Sequence, residues 1–115
     1  MALTKGQINK FAQIELKRRN VECWLTSNSR TVKGHTFKGR LGVPDINGFH
    51  TITGVYVGCE VKTLTDKMRP EQHEFLLNLK NAGGISLVAT EDKRTGNILI
   101  LDYAQYRERY PPKII

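Results

Sequence analysis

Apolar residues recur along the chain in two different periods, and each period predicts its own kind of element. Between Thr4 and Arg19, and again between Pro70 and Ala82, they recur every three or four positions, which is typical of amphipathic helices. Short apolar runs rich in β-branched residues predict strands instead. The predicted helices span residues 4–19, 70–82 and 103–110, and the predicted strands comprise 21–25, a segment at Asp45, 54–62, 85–89 and 97–101.

Segment 54–62 combines an apolar face with a polar one. Because alternate side chains of a strand leave opposite faces of the sheet, Glu60 and Lys62 point away from the apolar residues of the same strand. The apolar face is expected to pack against a core helix. Its members are Val55, Val57, Cys59 and Val61, and the opposite face carries Tyr56, Gly58, Glu60 and Lys62.

The order of elements is helix, strand, loop, two strands, helix, strand, strand, helix. This order predicts an α/β fold with a central mixed β-sheet flanked by helices. A chain of 115 residues can bury a substantial core, and we expect one domain over residues 1–115. Residues 90–96 are predicted to form a turn, and segment 26–41, which lacks apolar periodicity, is predicted to be a mobile loop.

The charge of the chain favours a partner that carries phosphate. Lys and Arg total 18 against 11 Asp and Glu, so the net charge is +7 and the sequence pI is about 9.7. A basic protein without a specific partner is the alternative. The positive residues concentrate in loop 26–41, where backbone contact with DNA is expected, against the alternative of a solvated loop without a ligand. The candidate DNA-binding residues are Arg30, Lys33, Lys38 and Arg40, extended by Lys67 and Arg69.

The candidate catalytic groups are the carboxylates of Asp45 and Glu60. They lie at the ends of predicted neighbouring strands, where they can share a hard divalent cation. Lys62 leaves the same strand face as Glu60 and points toward the same place. This arrangement predicts a site that cleaves phosphodiester bonds.

The stretch around these residues resembles a known nuclease family. The run Gly-Val-Pro-Asp-Ile-Asn-Gly at 42–48, the strand ending in Cys-Glu-Val-Lys at 59–62, Arg-Pro-Glu-Gln at 69–72 and strand 85–89 resemble the VRR-NUC domain in order and spacing. VRR-NUC is a virus-type replication and repair nuclease domain of the PD-(D/E)XK superfamily, related to archaeal Holliday junction resolvases. The resemblance is close over 42–89 and loose elsewhere, and it implies a restriction-endonuclease-like core.

The resemblance also implies roles for individual residues. Asp45 and Glu60 correspond to metal-binding carboxylates, Lys62 to the lysine that positions or activates the attacking water, and Gln72 to a supporting polar residue on a helix. Mg²⁺ is the expected cofactor, with Mn²⁺ expected to substitute, because Mg²⁺ takes few protein oxygens and keeps several waters. The carbonyl of Val61 is a candidate third ligand.

Gln72 has two interpretations. Pro70 suits the first turn of a helix, and Gln72 shares the spacing of the apolar face, so its amide is expected to point inward. The alternative is that Gln72 only satisfies an unpaired backbone group of the first helical turn.

The first helix raises one departure from the family. Thr4 and Gln7 form a capping-box pattern, yet the family's helix glutamate would fall near Gln7, and an amide is a poorer Mg²⁺ ligand. Glu15, predicted at the centre of the apolar face, is the substitute candidate. The alternative for Glu15 is a buried ion pair with Arg18 or Arg19.

The predicted function is a Mg²⁺-dependent DNA endonuclease of phage type, structure-selective for branched DNA such as a Holliday junction or flap. A catalytically weak DNA-binding module with the same fold is the rival prediction, and a purely structural basic protein is a third. A homodimer is expected, with Tyr106, Tyr110, Ile114 and Ile115 as exposed apolar candidates for its interface.

The remaining sequence features concern the cellular location, the cysteines and the histidines. No segment has the length and apolarity of a membrane span or the pattern of a signal peptide, so a cytoplasmic location in a bacterial cell or infected host is expected. Cys23 and Cys59 are predicted to be small buried side chains without a disulfide. The histidines lack metal-ligand spacing; they are His35, His50 and His73.

Overall fold

The structure, a computed structural model, describes residues 2–26, 29–32, 35–38 and 41–111, and over 27–40 the description concerns the backbone alone. The helices in these residues are α1 (Lys5–Arg18), α2 (Pro70–Asn81) and α3 (Tyr103–Arg109). The strands are β1 (Val21–Leu25), β2 (Ser29–Val32), β3 (His35–Lys38), β4 (Ile46–His50), β5 (Tyr56–Lys62), β6 (Ile85–Glu91) and β7 (Ile98–Asp102).

The main sheet has five strands in the order β1-β4-β5-β6-β7. Its pairs are antiparallel except for β5 and β6, which run parallel and are joined through α2, since a parallel pair needs a long crossover connection. One cluster of buried residues packs α1 against one face, and a second packs α2 and α3 against the other. The predicted α/β fold with a central mixed sheet flanked by helices is confirmed.

The apolar face of β5 packs on α1, as predicted. Val57, Cys59 and Val61 share one buried cluster with the α1 residues Ile8, Ala12 and Leu16. Thr4 caps the helix through the predicted capping box with Gln7, and the chain turns out of α1 at Asn20, whose φ is 64°. Both cysteines are free thiols, with Cys59 buried and Cys23 partly so.

The second face is covered by Leu76 of α2 and by Tyr103 and Tyr106 of α3, which meet Val88 of β6. The prediction that Tyr106 is exposed and available for a dimer interface is therefore wrong, because its side chain is only 6% exposed. Tyr110 is exposed as expected, and Ile114 and Ile115 lie outside the described residues.

The prediction of a loop over 26–41 is wrong for residues 29–32 and 35–38. The segment contains β2 and β3, an antiparallel pair with Val32 opposite His35. The cause is the composition of the two strands, Ser-Arg-Thr-Val and His-Thr-Phe-Lys, in which β-branched and aromatic residues favour extended backbone despite the absence of an apolar face. Only two residues, Lys33 and Gly34, separate them, a spacing typical of hairpins.

Strand β6 runs two residues further than predicted, to Glu91, and the turn is correspondingly shorter. Thr90 and Glu91 pair with Leu99 and Ile98 of β7, so the ladder continues through residues whose polarity predicted a turn.

Among the described residues, no helix has both the length and the apolar content needed to cross a bilayer.

Candidate active site

Asp45 precedes β4 and is fixed from several directions. Its Oδ2 accepts a hydrogen bond of 2.9 Å from the backbone N–H of Val61, and Asn47 donates from Nδ2 to the carbonyl of Pro44 at 2.8 Å. Gly42 has a φ of 83°, and a side chain there would collide with the backbone of Glu71 on α2. Glycine at position 42 thus allows the Asp45 segment to lie against α2.

Glu60 lies in the middle of the polar face of β5 and is almost completely buried, with 1% of its surface exposed. Gln72 Nε2 donates to its Oε1 at 3.3 Å. No donor among the described residues reaches its Oε2. The neighbouring group is the carboxylate of Asp45, which is itself an acceptor, so the contact between the two is favourable only with a proton or a cation present.

The pKa values of the two carboxyl groups separate accordingly. Burial, and then the contact with Asp45, raises the pKa of Glu60 to about 9. Burial acts in the same direction on Asp45. Its net pKa is nevertheless lowered by the neighbouring carboxyl group of Glu60, by the hydrogen bond from the Val61 N–H and by the charge of Lys5. In the absence of a metal ion, Glu60 therefore holds the proton and Asp45 the negative charge.

Lys62 is also buried, and Gln72 joins it to Glu60. Lys62 Nζ donates to Gln72 Oε1 at 2.8 Å and to the carbonyl of Lys67 at 3.3 Å. Burial lowers the pKa of Lys62, against the opposing attraction of Glu60. An ammonium has three donors, so one remains after these two bonds for a substrate oxygen.

Gln72 satisfies both interpretations of its sequence position. Its Oε1 also accepts the backbone N–H of Arg69 at 2.8 Å, which is the helix-capping role. The same side chain bridges Glu60 and Lys62, which is the inward role. The predicted residues Asp45, Glu60, Lys62 and Gln72 thus form one continuous polar network.

Lys5 is a member of the site that the sequence pattern did not identify. Its Nζ lies 3.3 Å from Asp45 Oδ1, although 40 positions separate the two residues in the chain. One local signal pointed to it: the first turn of α1 carries no acidic residue and holds this lysine, where the helix dipole favours negative charge. Asn47 was likewise missed, although it lies inside the run that carries Asp45.

Neither candidate for an acidic residue on α1 reaches the site. Gln7 is exposed, and its side chain accepts the N–H of Thr4 at 2.8 Å in the capping box. Glu15 pairs with Arg18 at 3.0 Å and Arg19 at 3.4 Å, and it lies ten residues along α1 from Lys5, which is about 15 Å of helix. The structure does not support Glu15 as a metal ligand, because its carboxylate pairs with Arg18 and Arg19, far along α1 from the lysine that contacts Asp45. The alternative ion pair is observed, at a partly exposed position.

The predicted DNA-binding residues are only partly described. Lys67 and Arg69 lie in segment 63–69, next to the site, where Arg69 also pairs with Glu71 at 3.5 Å. The side chains of Arg30 and Lys38 lie outside the described atoms, and Lys33 and Arg40 lie outside the described residues.

The donor set around Glu60 suits a hard cation. It consists of carboxylate oxygens, including one buried oxygen without a donor, which is the chemistry that Mg²⁺ and Mn²⁺ prefer. Within the described part of the chain, no third carboxylate, histidine or cysteine completes a metal-binding group. A cation here would complete its coordination with backbone oxygen and water.

Comparison with known proteins identifies the fold. No family model matches the sequence, and no curated protein matches it. Among solved structures, the chain is similar to Hjc of Archaeoglobus fulgidus, a Holliday junction resolvase from an archaeal hyperthermophile, with a TM-score of 0.56 and 14% identity. The match covers 86% of this chain and 77% of that one. The two proteins share a fold.

Proposed function

We propose that the protein is a metal-dependent endonuclease that hydrolyses phosphodiester bonds in branched DNA. The observation that carries this proposal is the buried Oε2 of Glu60, which has no donor among the described residues and belongs to a carboxyl group beside Asp45. Such a buried oxygen costs free energy unless a proton, which Glu60 holds in the metal-free protein, or a ligand compensates it. A divalent cation between the two carboxylates is the compensation that the donor set favours.

Asp45 and Glu60 would hold the cation through their carboxylates, and Val61 through its carbonyl. The N–H of Val61 points to Asp45, and in a strand the N–H and C=O of one residue point to the same side. Mg²⁺ is the proposed ion, with Mn²⁺ able to replace it. When bound, such an ion supplies charge neutralisation on the phosphate and a bound water of lowered pKa.

Lys62 would contact the reacting phosphate or orient the attacking water with its remaining donor. Gln72 accepts a hydrogen bond from the ammonium of Lys62 through Oε1 and donates one to Glu60 through Nε2, so Lys62 and Glu60 keep a fixed relative position. Phosphoryl transfer depends mainly on positioning and on neutralising charge, and the network provides the positioning.

Branched DNA is the proposed substrate for two reasons. The structural neighbour is a Holliday junction resolvase, and the net charge of +7 favours a phosphate-rich partner. Arg30, Lys33, Lys38 and Arg40 of segment 26–41 are proposed to contact the DNA backbone together with Lys67 and Arg69. We further propose that the enzyme is a VRR-NUC nuclease of phage type and that it acts as a homodimer.

The proposal is tested by cleavage of labelled four-way junction, flap and linear duplex DNA in Mg²⁺, in Mn²⁺ and in EDTA. Cleavage is expected in either metal and not in EDTA, and Glu60→Gln and Lys62→Ala are expected to abolish it. Glu74→Gln, an exposed position on α2, is the matched control and should cleave as the parent protein does. Full activity of Glu60→Gln would contradict the proposed site.

A DNA-binding module that has kept the fold without cleavage is the second candidate. It is favoured by the absence of an α1 carboxylate at the site and by the contact of Lys5 with Asp45, where a cation would bind. Salt-sensitive binding of branched DNA without cleavage in either metal would support this candidate over the endonuclease.

A further inference from the structure

A cavity lies next to the catalytic network, and segment 63–69 separates the two. Its volume is about 390 Å³, within the range of pockets that hold small organic ligands. Its walls come from segment 63–69, from the start of α2 and from the end of α3. The residues that carry the argument are Asp66, Lys67, Met68, His73, Tyr106 and Tyr110.

The cavity and the catalytic network share a wall. Lys67 lines the cavity, and its carbonyl accepts the hydrogen bond from Lys62 Nζ at 3.3 Å. His73 lines it too and directly follows Gln72 on α2. A ligand in the cavity would therefore lie one short segment of chain away from the atoms proposed to contact the scissile phosphate.

The walls suit a flat aromatic ring. Tyr106 is buried and supports Tyr110, with 4.9 Å between their ring centroids, while Tyr110 is 38% exposed and offers its ring to a ligand. His73 is held by a 2.8 Å hydrogen bond between its Nδ1 and the hydroxyl of Tyr103, so its ring is fixed and Nε2 is left for a ligand. Aromatic side chains fixed in this way are the usual stacking surface for single bases.

The charges of the cavity favour a base over a phosphate. Asp66 accepts the N–H of Thr63 at 3.2 Å, which keeps its pKa low and its carboxylate negative. Burial and the charge of Arg107 lower the pKa of His73, so this residue is neutral at pH 7. One carboxylate, one lysine and a neutral imidazole give no surplus of positive charge for a phosphate, but they offer hydrogen-bond partners for a base edge.

We propose that this cavity receives one unpaired base of the DNA beside the scissile phosphodiester, stacked on Tyr110. This proposal rests on the proposed endonuclease function, and it narrows the substrate from branched DNA in general to a more specific class. The substrate is DNA with an unstacked nucleotide next to the cut, as occurs at a branch point or flap, and perfect duplex lacks the group that the cavity binds.

The test combines a change in the protein with a change in the DNA. After the cut in the preferred branched substrate is mapped, each nucleotide beside it is replaced in turn by an abasic site, and dissociation constants are measured in Ca²⁺. At one position the missing base should weaken binding to the parent protein about tenfold, because stacking of a base on an aromatic ring contributes about 1 to 3 kcal/mol. The same replacement should have little effect on Tyr110→Ala.

Two further variants complete the design. Tyr110→Phe keeps the ring and should retain the parent sensitivity to the missing base. Phe11→Ala removes a similarly exposed aromatic residue of α1, with 42% exposure, and should also retain this sensitivity. If abasic replacement weakens parent and Tyr110→Ala equally at every position, or weakens neither, the base-binding cavity is refuted while the endonuclease stands. A protein that neither binds nor cleaves any of the DNAs would refute both proposals.

Discussion

Glu60 and Lys5 show how single residues set the properties of the site. The fold removes Glu60 from water and gives it a second carboxyl group as neighbour, while Lys5 supplies the only positive side chain seen on Asp45 within the described residues. In the metal-free site, the ammonium of Lys5 therefore pairs with Asp45, and a proton neutralises Glu60.

Substitution of Glu60 should remove a pH dependence from the stability of the metal-free protein. The pKa of Glu60 is raised from 4.5 to about 9, so above pH 4.5 the unfolded chain releases a proton that the folded chain keeps. The free energy of unfolding should fall as pH rises from 4.5 toward 9, by at most about 1.4 kcal/mol per pH unit for one proton.

Glu60→Gln should flatten this fall and be more stable than the parent protein in EDTA at pH 8. Denaturant unfolding at several pH values measures both proteins, with Glu74→Gln as the control that should behave like the parent. An equally steep fall in Glu60→Gln would show that Glu60 does not hold the proton.

Lys5→Met should increase the affinity for Mn²⁺ and Mg²⁺, because a cation at Asp45 must displace the ammonium of Lys5. The ion pair is partly exposed, so its contribution is below about 1 kcal/mol and the gain in affinity should be two- to fivefold. Calorimetric titration of the metal into the protein measures the change. Lys10→Met, an exposed position on the same helix, should leave the affinity unaltered, and a weaker affinity in Lys5→Met would reverse the assigned role.

Among the elements, α1 contributes its first turn to the site and its apolar face to the core. Gln7→Glu should therefore leave metal affinity unchanged, although it restores an acidic residue where the resembled family carries one. Its side chain is expected to keep the bond to the Thr4 N–H and to gain a few tenths of a kcal/mol from the helix dipole. Metal titration tests the affinity, and thermal unfolding tests the gain in stability. Tighter metal binding by Gln7→Glu would show that the side chain at position 7 can turn toward the site.

The turn before β4 is the second element that shapes the site. Gly42 and Gly54 both have positive φ, at 83° and 75°, but a side chain would meet the backbone of Glu71 only at Gly42. Gly54→Ala should cost about 1 kcal/mol of stability, the usual strain of this conformation, and leave cleavage intact. Gly42→Ala should cost more stability than Gly54→Ala. It should also reduce cleavage, because the added side chain would push the Asp45 segment away from α2. Equal losses in the two variants would mean that the close approach at Gly42 does not position Asp45.

For the molecule as a whole, the net charge of +7 predicts DNA binding that depends strongly on salt. If all six proposed basic residues contact phosphate, the logarithm of the affinity should fall against the logarithm of salt concentration with a slope of about −5. Lys67→Ala should reduce this slope by about one unit, and Lys17→Ala, on an exposed face of α1, should not. A slope near zero would exclude the proposed backbone contacts.

Most of the secondary structure and the central four residues of the site followed from local patterns. The helical period located α1 and α2, and the alternation along 54–62 separated the core side of β5 from Glu60 and Lys62. The hairpin β2–β3 was missed because neither strand presents an apolar face, so its backbone pairing leaves little trace in hydrophobic periodicity.

The sequence by itself determined the helices, the strands of the main sheet and their order, and it singled out Asp45, Glu60, Lys62 and Gln72 as candidate site residues, because periodicity and short motifs are encoded within a few neighbouring residues. The tertiary structure alone decided that Lys5 reaches Asp45, that Glu15 does not, and that Tyr106 is buried beside a cavity. These facts depend on how helices cross the sheet and on contacts between residues far apart in the chain, and no local pattern specifies either.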